Sequence, residues 1–158
     1  TLLASSAASD VYKRQIIRYA EMIDNWAECD CFCSCIKVKK SEEDDLLRLA
    51  EGLMYRKEEF VSRVGTVLMF SKFSDEPTVR KALAIYDRLP GGEYYRDMAV
   101  AWGISVYCVR YPQLIVKYLE HSPISIAVKL AAAQKIRDSR RISDEVKRRV
   151  TDTVNAQR

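Results

Sequence analysis

The chain reads as an all-α protein, and three observations predict it. Apolar residues recur at helical spacing from Ile16 onward. No segment alternates convincingly between apolar and polar at period two, as a half-buried strand would. Only 5 Gly and 4 Pro in 158 residues also leave too few turn formers for a β-sandwich. Short connectors between the helices predict antiparallel pairs. Pairs of roughly 35–45 residues stack into HEAT-like curved solenoids with a concave face. The alternative is a compact helical bundle, since no exact sequence repeat is visible.

Each element follows from its own signals. Ile16, Ile17, Ala20 and Ile23 form one apolar stripe. Asp24 or Asn25 can cap a second helix running to Cys35, with Glu28 placed to close a capping box on Asn25. Lys37, Lys39 and Lys40 make a basic connector. Ser41 is expected to cap the next helix, whose first turn carries Glu42, Glu43 and Asp44, a pattern that complements the helix dipole. Leu46, Leu47, Leu49, Ala50, Leu53 and Met54 supply its apolar face. A helix over residues 58–73 follows, with Phe60, Val61, Val64, Val67 and Leu68 on one stripe. Pro77 suits the first turn of a helix ending near Leu89, and Pro90-Gly91-Gly92 breaks it. Residues 94–109 are apolar nearly all round, which predicts a helix buried on most sides. Pro112 opens a helix to His121, Pro123 another to about Ile136, and Ser143 caps the last.

Apolar residues make up 48% and charged residues 30%, the balance of a globular chain rather than a disordered one. The formal charge of +4 is unevenly placed. Residues 135–158 hold eight basic and four acidic side chains, so the rest of the chain is neutral and the excess points to a polyanionic partner. No run reaches the ~18–20 apolar residues of a membrane span. Five cysteines, four of them crowded at Cys29, Cys31, Cys33 and Cys35, do not resemble a secreted disulfide framework, and a reducing cytoplasmic compartment is expected. Residues 1–15 are Ser/Ala-rich and aperiodic. They look like a translated sequencing adapter, a non-native or disordered leader, so the natural domain is expected over residues 16–158, with native residues missing upstream.

Four cysteines at alternate positions invite a metal reading, but helical spacing puts Cys29 and Cys33 on one face and Cys31 and Cys35 on another, so four thiolates cannot converge on one ion. Small apolar packing is the plainer account, and no metal is expected. Trp26 and Asp30 stand one turn apart on one face, an aromatic plane beside a carboxylate that would suit a cation. From spacing alone, a core Trp with a surface Asp is the simpler reading. Arg63 lies at the edge of its helix's apolar stripe, a placement that a snorkelling surface Arg explains equally well. Trp102 sits in an apolar helix, where core packing is the simple reading. The sequence carries no P-loop, no G-x-G-x-x-G, no G-x-S-x-G and no H-E-x-x-H, which argues against nucleotide-dependent transfer, hydride transfer and zinc hydrolysis.

Taken as a set, these segments resemble a known family. Residues 23–33 (IDNWAECDCFC) are similar to the "DNWA-x-CD-x-FC" segment of the DNA alkylation repair family, the AlkD-type HEAT-like glycosylases. Residues 60–70 (FVSRVGTVLMF) resemble that family's Arg-bearing helix. Residues 94–109 (YYRDMAVAWGISVYCV) resemble its "YY-x-x-MAVAW" helix, and residues 134–144 (QKIRDSRRISD) its "QKIRES-x-R-x-S" close. The four motifs occur in the family's order and cover Ile16 to Arg149. The chain departs from the pattern at Asp97, where relatives usually carry a basic residue, and in lacking the family's N-terminal helices.

The resemblance implies a concave basic surface that holds duplex DNA, and removal of cationic N3- or N7-alkylated purines by hydrolysis of the N-glycosidic bond. It implies that Asp30 is catalytic, that Trp26 and Trp102 line the lesion cleft, and that Arg63 contacts the backbone near the lesion. The DNA-binding set would be Arg63, Lys37, Lys39, Lys40, Arg96, Arg137, Arg140 and Arg141. The partner would be alkylated double-stranded DNA, with no membrane and no nucleotide cofactor. The protein would be a monomer of a bacterial cytosol or nucleoid. The alternative function is a HEAT-like scaffold that binds DNA or protein without catalysis.

Overall fold

The computed structural model describes residues 2–158, with side chains from Asp10 onward. Nine α-helices and a single 3-10 turn account for the regular structure of the described residues: α1 (Leu2–Met22), α2 (Trp26–Cys35), α3 (Glu43–Met54), α4 (Glu59–Lys72), α5 (Glu76–Tyr86), α6 (Tyr94–Arg110), α7 (Pro112–His121), α8 (Ile126–Asp138) and α9 (Asp144–Asn155). The chain is therefore all-α, as the periodicity predicts. It divides into two compact units, the first ending at Lys72 and the second spanning Phe73–Arg158. Among the described residues, no helix is long and apolar enough to cross a membrane.

Several boundaries differ from expectation, among them the end of α5, which falls at Tyr86 and not near Leu89. Residues 2–15, expected to stand apart from the organised chain, continue into α1 as helix. Among the residues of α1 whose side chains are described, Ile16 is the first that is buried. Ser41 does not cap α3. It lies in the 3-10 turn Lys40–Glu42, and α3 starts at Glu43 behind Glu42, which makes no side-chain cap. The acidic first turn of α3 (Glu43, Asp44, Asp45) supplies favourable dipole charge instead.

In the first unit α4 is the central helix. Every residue from Val61 to Phe70 is buried, and α1, α2 and α3 all pack on it. Its contact with α3 is the most extensive, because four connector residues turn the chain straight back on itself. Ser62 Oγ donates to the Met54 carbonyl at 2.7 Å, satisfying one of the carbonyls left open at the end of α3. Gly65 sets how closely the two helices approach. A Cβ there would lie 2.5 Å from Met54 N and 2.6 Å from Ala50 O. Helix propensity alone would favour Gly65→Ala by ~1 kcal/mol. Overpacking against backbone that cannot yield costs about 3 kcal/mol, so a net loss of about 2 kcal/mol should appear as a lower urea midpoint. An unchanged midpoint would show that the helices can separate at no cost.

In the second unit α6 packs on α5, α7 and α8, and α9 closes against α7 and α8. Ser143, the cap read from sequence, accepts from Val146 N, and Pro77 stands in the first turn of α5 behind Asp75, a cap not singled out from sequence, which accepts from Thr78 N. The helix expected from Pro123 starts later, at Ile126, because Ser125 takes the cap by accepting from Val128 N.

Candidate functional site

The site is built on α2 and α4 of the first unit. Asn25, in extended conformation, accepts from Glu28 N at 2.9 Å and starts α2 at Trp26. Helical spacing then divides the cysteines. Cys29 and Cys33 are fully buried, and Cys31 and Cys35 are exposed. Cys33 Sγ lies 3.7 Å from the Val64 carbonyl, a thiol–carbonyl contact that ties α2 to α4. A hydrogen bond with Cys29, followed by burial, holds the Cys33 thiol well above the ordinary thiol range, and burial pushes Cys108 up to about 12. Ellman's reagent should therefore titrate two of the five thiols in the native chain, Cys31 and Cys35, and all five in urea. Rapid labelling of Cys29 or Cys33 would show that α2 lifts off α4.

Beside the buried cysteines, Asp30 faces Arg63. Arg63 Nε donates to Asp30 Oδ1 at 3.1 Å and Nη2 to Oδ2 at 3.0 Å, a two-pronged pair. The arginine side chain is 7% exposed and the aspartate 23%. This corrects the surface reading of Arg63. A guanidinium within the buried stretch of α4 would be an uncompensated charge without a carboxylate, and Asp30 supplies it. The arginine's planar fork matches the carboxylate edge, which a lysine ammonium would not. Trp26, one turn before Asp30, is 53% exposed, which rules out the core reading of that residue. Tyr19 of α1 stacks on Phe32 of α2 with ring centroids 4.5 Å apart. Neither ring was singled out from sequence, and only a known α1–α2 pairing could have matched them.

Elsewhere the sequence candidates divide. Lys37, Lys39 and Lys40 are exposed on the connector and 3-10 turn of the first unit. Arg137, Arg140 and Arg141 are exposed at the end of α8 and the turn after it. Trp102 is half-buried on α6 of the second unit, and its carbonyl accepts from Ser105 Oγ at 2.6 Å. Arg96 is not the surface cation expected of a DNA contact. It is 3% exposed, and its Nη2 donates to the Pro90 carbonyl at 2.7 Å, holding the Pro90–Gly92 turn against α6.

Chemically, the pair presents a fixed carboxylate. Two of its lone-pair positions are taken by Arg63, and others remain for a water or a developing positive charge. An exposed indole stands one turn away. Set against known proteins, the chain matches no family model, no curated protein and no solved structure.

Proposed function

We propose that this chain acts in DNA alkylation repair, binding alkylated duplex DNA and hydrolysing the N-glycosidic bond of cationic N3- or N7-alkylpurines. One observation carries the reading: a part-exposed carboxylate, Asp30, locked by the buried Arg63 one helical turn from the exposed Trp26. The sequence resemblance supplies the substrate class, and the geometry makes the chemistry reasonable.

An alkylated purine carrying a positive charge is already a good leaving group. When the bond from C1′ to the base nitrogen breaks, its electron pair goes to the purine and cancels that charge. The sugar develops oxocarbenium character, and water adds to C1′ and loses a proton. Asp30 stabilises the oxocarbenium charge and accepts a hydrogen bond from that water. Arg63 does not touch the substrate in this account and is a positioning residue, fixing the carboxylate's direction so that no reorganisation is needed at the transition state. The π face of Trp26 favours a cationic base, worth about 0.5–1 kcal/mol at an exposed site. Lys37, Lys39, Lys40, Arg137, Arg140 and Arg141 are the exposed cations that would neutralise phosphates. A HEAT-like curvature, a single subunit and a bacterial cytosolic location belong to this proposal.

The purified chain incubated with a duplex holding one N7-methylguanine should release free N7-methylguanine, read by chromatography, and none from the unmodified duplex. Tight duplex binding without base release would replace the glycosylase with a non-catalytic scaffold. Neither binding nor release would sink both.

A further inference from the structure

The second unit contains a cleft that the proposed repair chemistry does not use. It has a volume of about 220 Å³ and lies between the α5–α6 connector and the α7–α8 connector. Val100, Ile124 and Val128 provide apolar wall, and Asp87, Arg96 and Asp97 provide charge.

Arg96 is the anomaly. The residue is only 3% exposed, yet its protein acceptor is one neutral carbonyl, that of Pro90. Its Nε is buried with no acceptor, and no carboxylate among the described residues pairs with it. A buried guanidinium without a counter-ion is costly, unlike Arg63, which has Asp30. A carboxylate or similar oxyanion group in the cleft would supply what is missing.

A simple anion does not fit the other charges. Asp87 uses Oδ1 to accept from the Tyr118 and Ser122 hydroxyls, and Asp97 uses Oδ2 to accept from Gly92 N. The second oxygen of each carboxylate remains for a ligand's donor. One cation with two carboxylates over an apolar wall complements a molecule that carries a carboxylate, an ammonium group and an aliphatic body. We propose that this cleft binds a small apolar zwitterion of the free amino-acid class, its carboxylate on Arg96 and its ammonium group between Asp87 and Asp97.

Isothermal titration of the whole chain with L-leucine tests this, with isocaproate (no ammonium), isoamylamine (no carboxylate) and inorganic phosphate as the comparison probes. L-leucine should bind saturably, with a dissociation constant on the order of 1 mM or lower. Isocaproate and isoamylamine should each bind at least ~10-fold more weakly, the size of one lost charge-assisted contact. Arg96→Gln should abolish L-leucine binding. Asp97→Asn keeps an oxygen for Gly92 N, and should weaken L-leucine ~10-fold without weakening isocaproate. That second variant decides the matter if Arg96→Gln does not fold. The proposal is overturned if phosphate or isocaproate binds as tightly as L-leucine, which would make this an anion site only. It is equally overturned if no probe binds saturably, or if Asp97→Asn leaves L-leucine affinity unchanged.

Discussion

Asp30→Asn should lower the rate of base release at least ~10²-fold, in the range expected when a preorganised electrostatic group is lost. The substitution keeps the side chain's size and one oxygen. What it removes is the negative charge facing the oxocarbenium ion and the second acceptor for the Arg63 fork. Binding of the neutral parts of the substrate does not depend on that charge, so duplex affinity should change little. The folded state should pay a separate cost. Arg63 is nearly buried, and an amide compensates its charge less well than a carboxylate. A loss of about 1–3 kcal/mol is expected from the weakened pair. Single-turnover release of N7-methylguanine, with urea unfolding on the same samples, separates the two effects. A fully folded Asp30→Asn chain that releases base at the parent rate would remove Asp30 from the mechanism.

Much of this architecture is legible in the residues, and the parts that are not have common causes. Local signals carried well. Asn25 and Ser143 cap where a short polar side chain precedes an apolar periodic run. Pro112 opens α7 as its fixed φ suggests. The split of the α2 cysteines into buried and exposed pairs follows from helical spacing alone. Ser41 misled because the turn before α3 tightens to 3-10 geometry, and the helix then starts on acidic residues that need no hydroxyl cap. Residues 2–15 carry no apolar period, yet they are helical and continuous with the stripe from Ile16 onward, since propagation from a formed helix is easier than nucleation.

The charged residues were the hardest to place. Arg63 and Arg96 both look like surface cations in a one-dimensional reading, and both are buried. Their partners are 33 and six residues away in sequence, Asp30 for one and the Pro90 carbonyl for the other. A signal for Arg63 did exist. It interrupts an apolar stretch in which Val61, Val64, Val67 and Leu68 are all core, and a guanidinium there requires an acceptor from a neighbouring helix. The resemblance placed Asp30 and Arg63 in one site but assigned them to different tasks, lesion and backbone. Only the fold joins them.

Arg63→Ala should be the most destabilising of these changes, by about 3–5 kcal/mol, because it strips a part-buried carboxylate of its partner and leaves a gap in the most buried helix of the first unit. Its functional consequence separates two roles. If Arg63 held a DNA phosphate, its loss would weaken binding to any duplex and reduce the salt dependence of affinity by about one phosphate contact. The structure favours the other role. Nε and Nη2 are spent on Asp30, and the side chain is 7% exposed. Arg63→Ala should therefore abolish most base release while the salt slope of duplex binding stays within less than one contact of the parent. Arg63→Lys gives the control when the alanine variant unfolds. Lysine keeps the charge and can still neutralise Asp30, but as a point donor it cannot fix the carboxylate edge. It should fold, hold the parent salt slope and lose at least ~10-fold in release rate. The double variant Asp30→Asn with Arg63→Lys should then be no slower than Asp30→Asn alone, since a positioning residue has nothing left to position. Additive losses in that cycle, or a salt slope reduced by a full contact in Arg63→Lys, would return Arg63 to the DNA backbone and leave Asp30 to act without it.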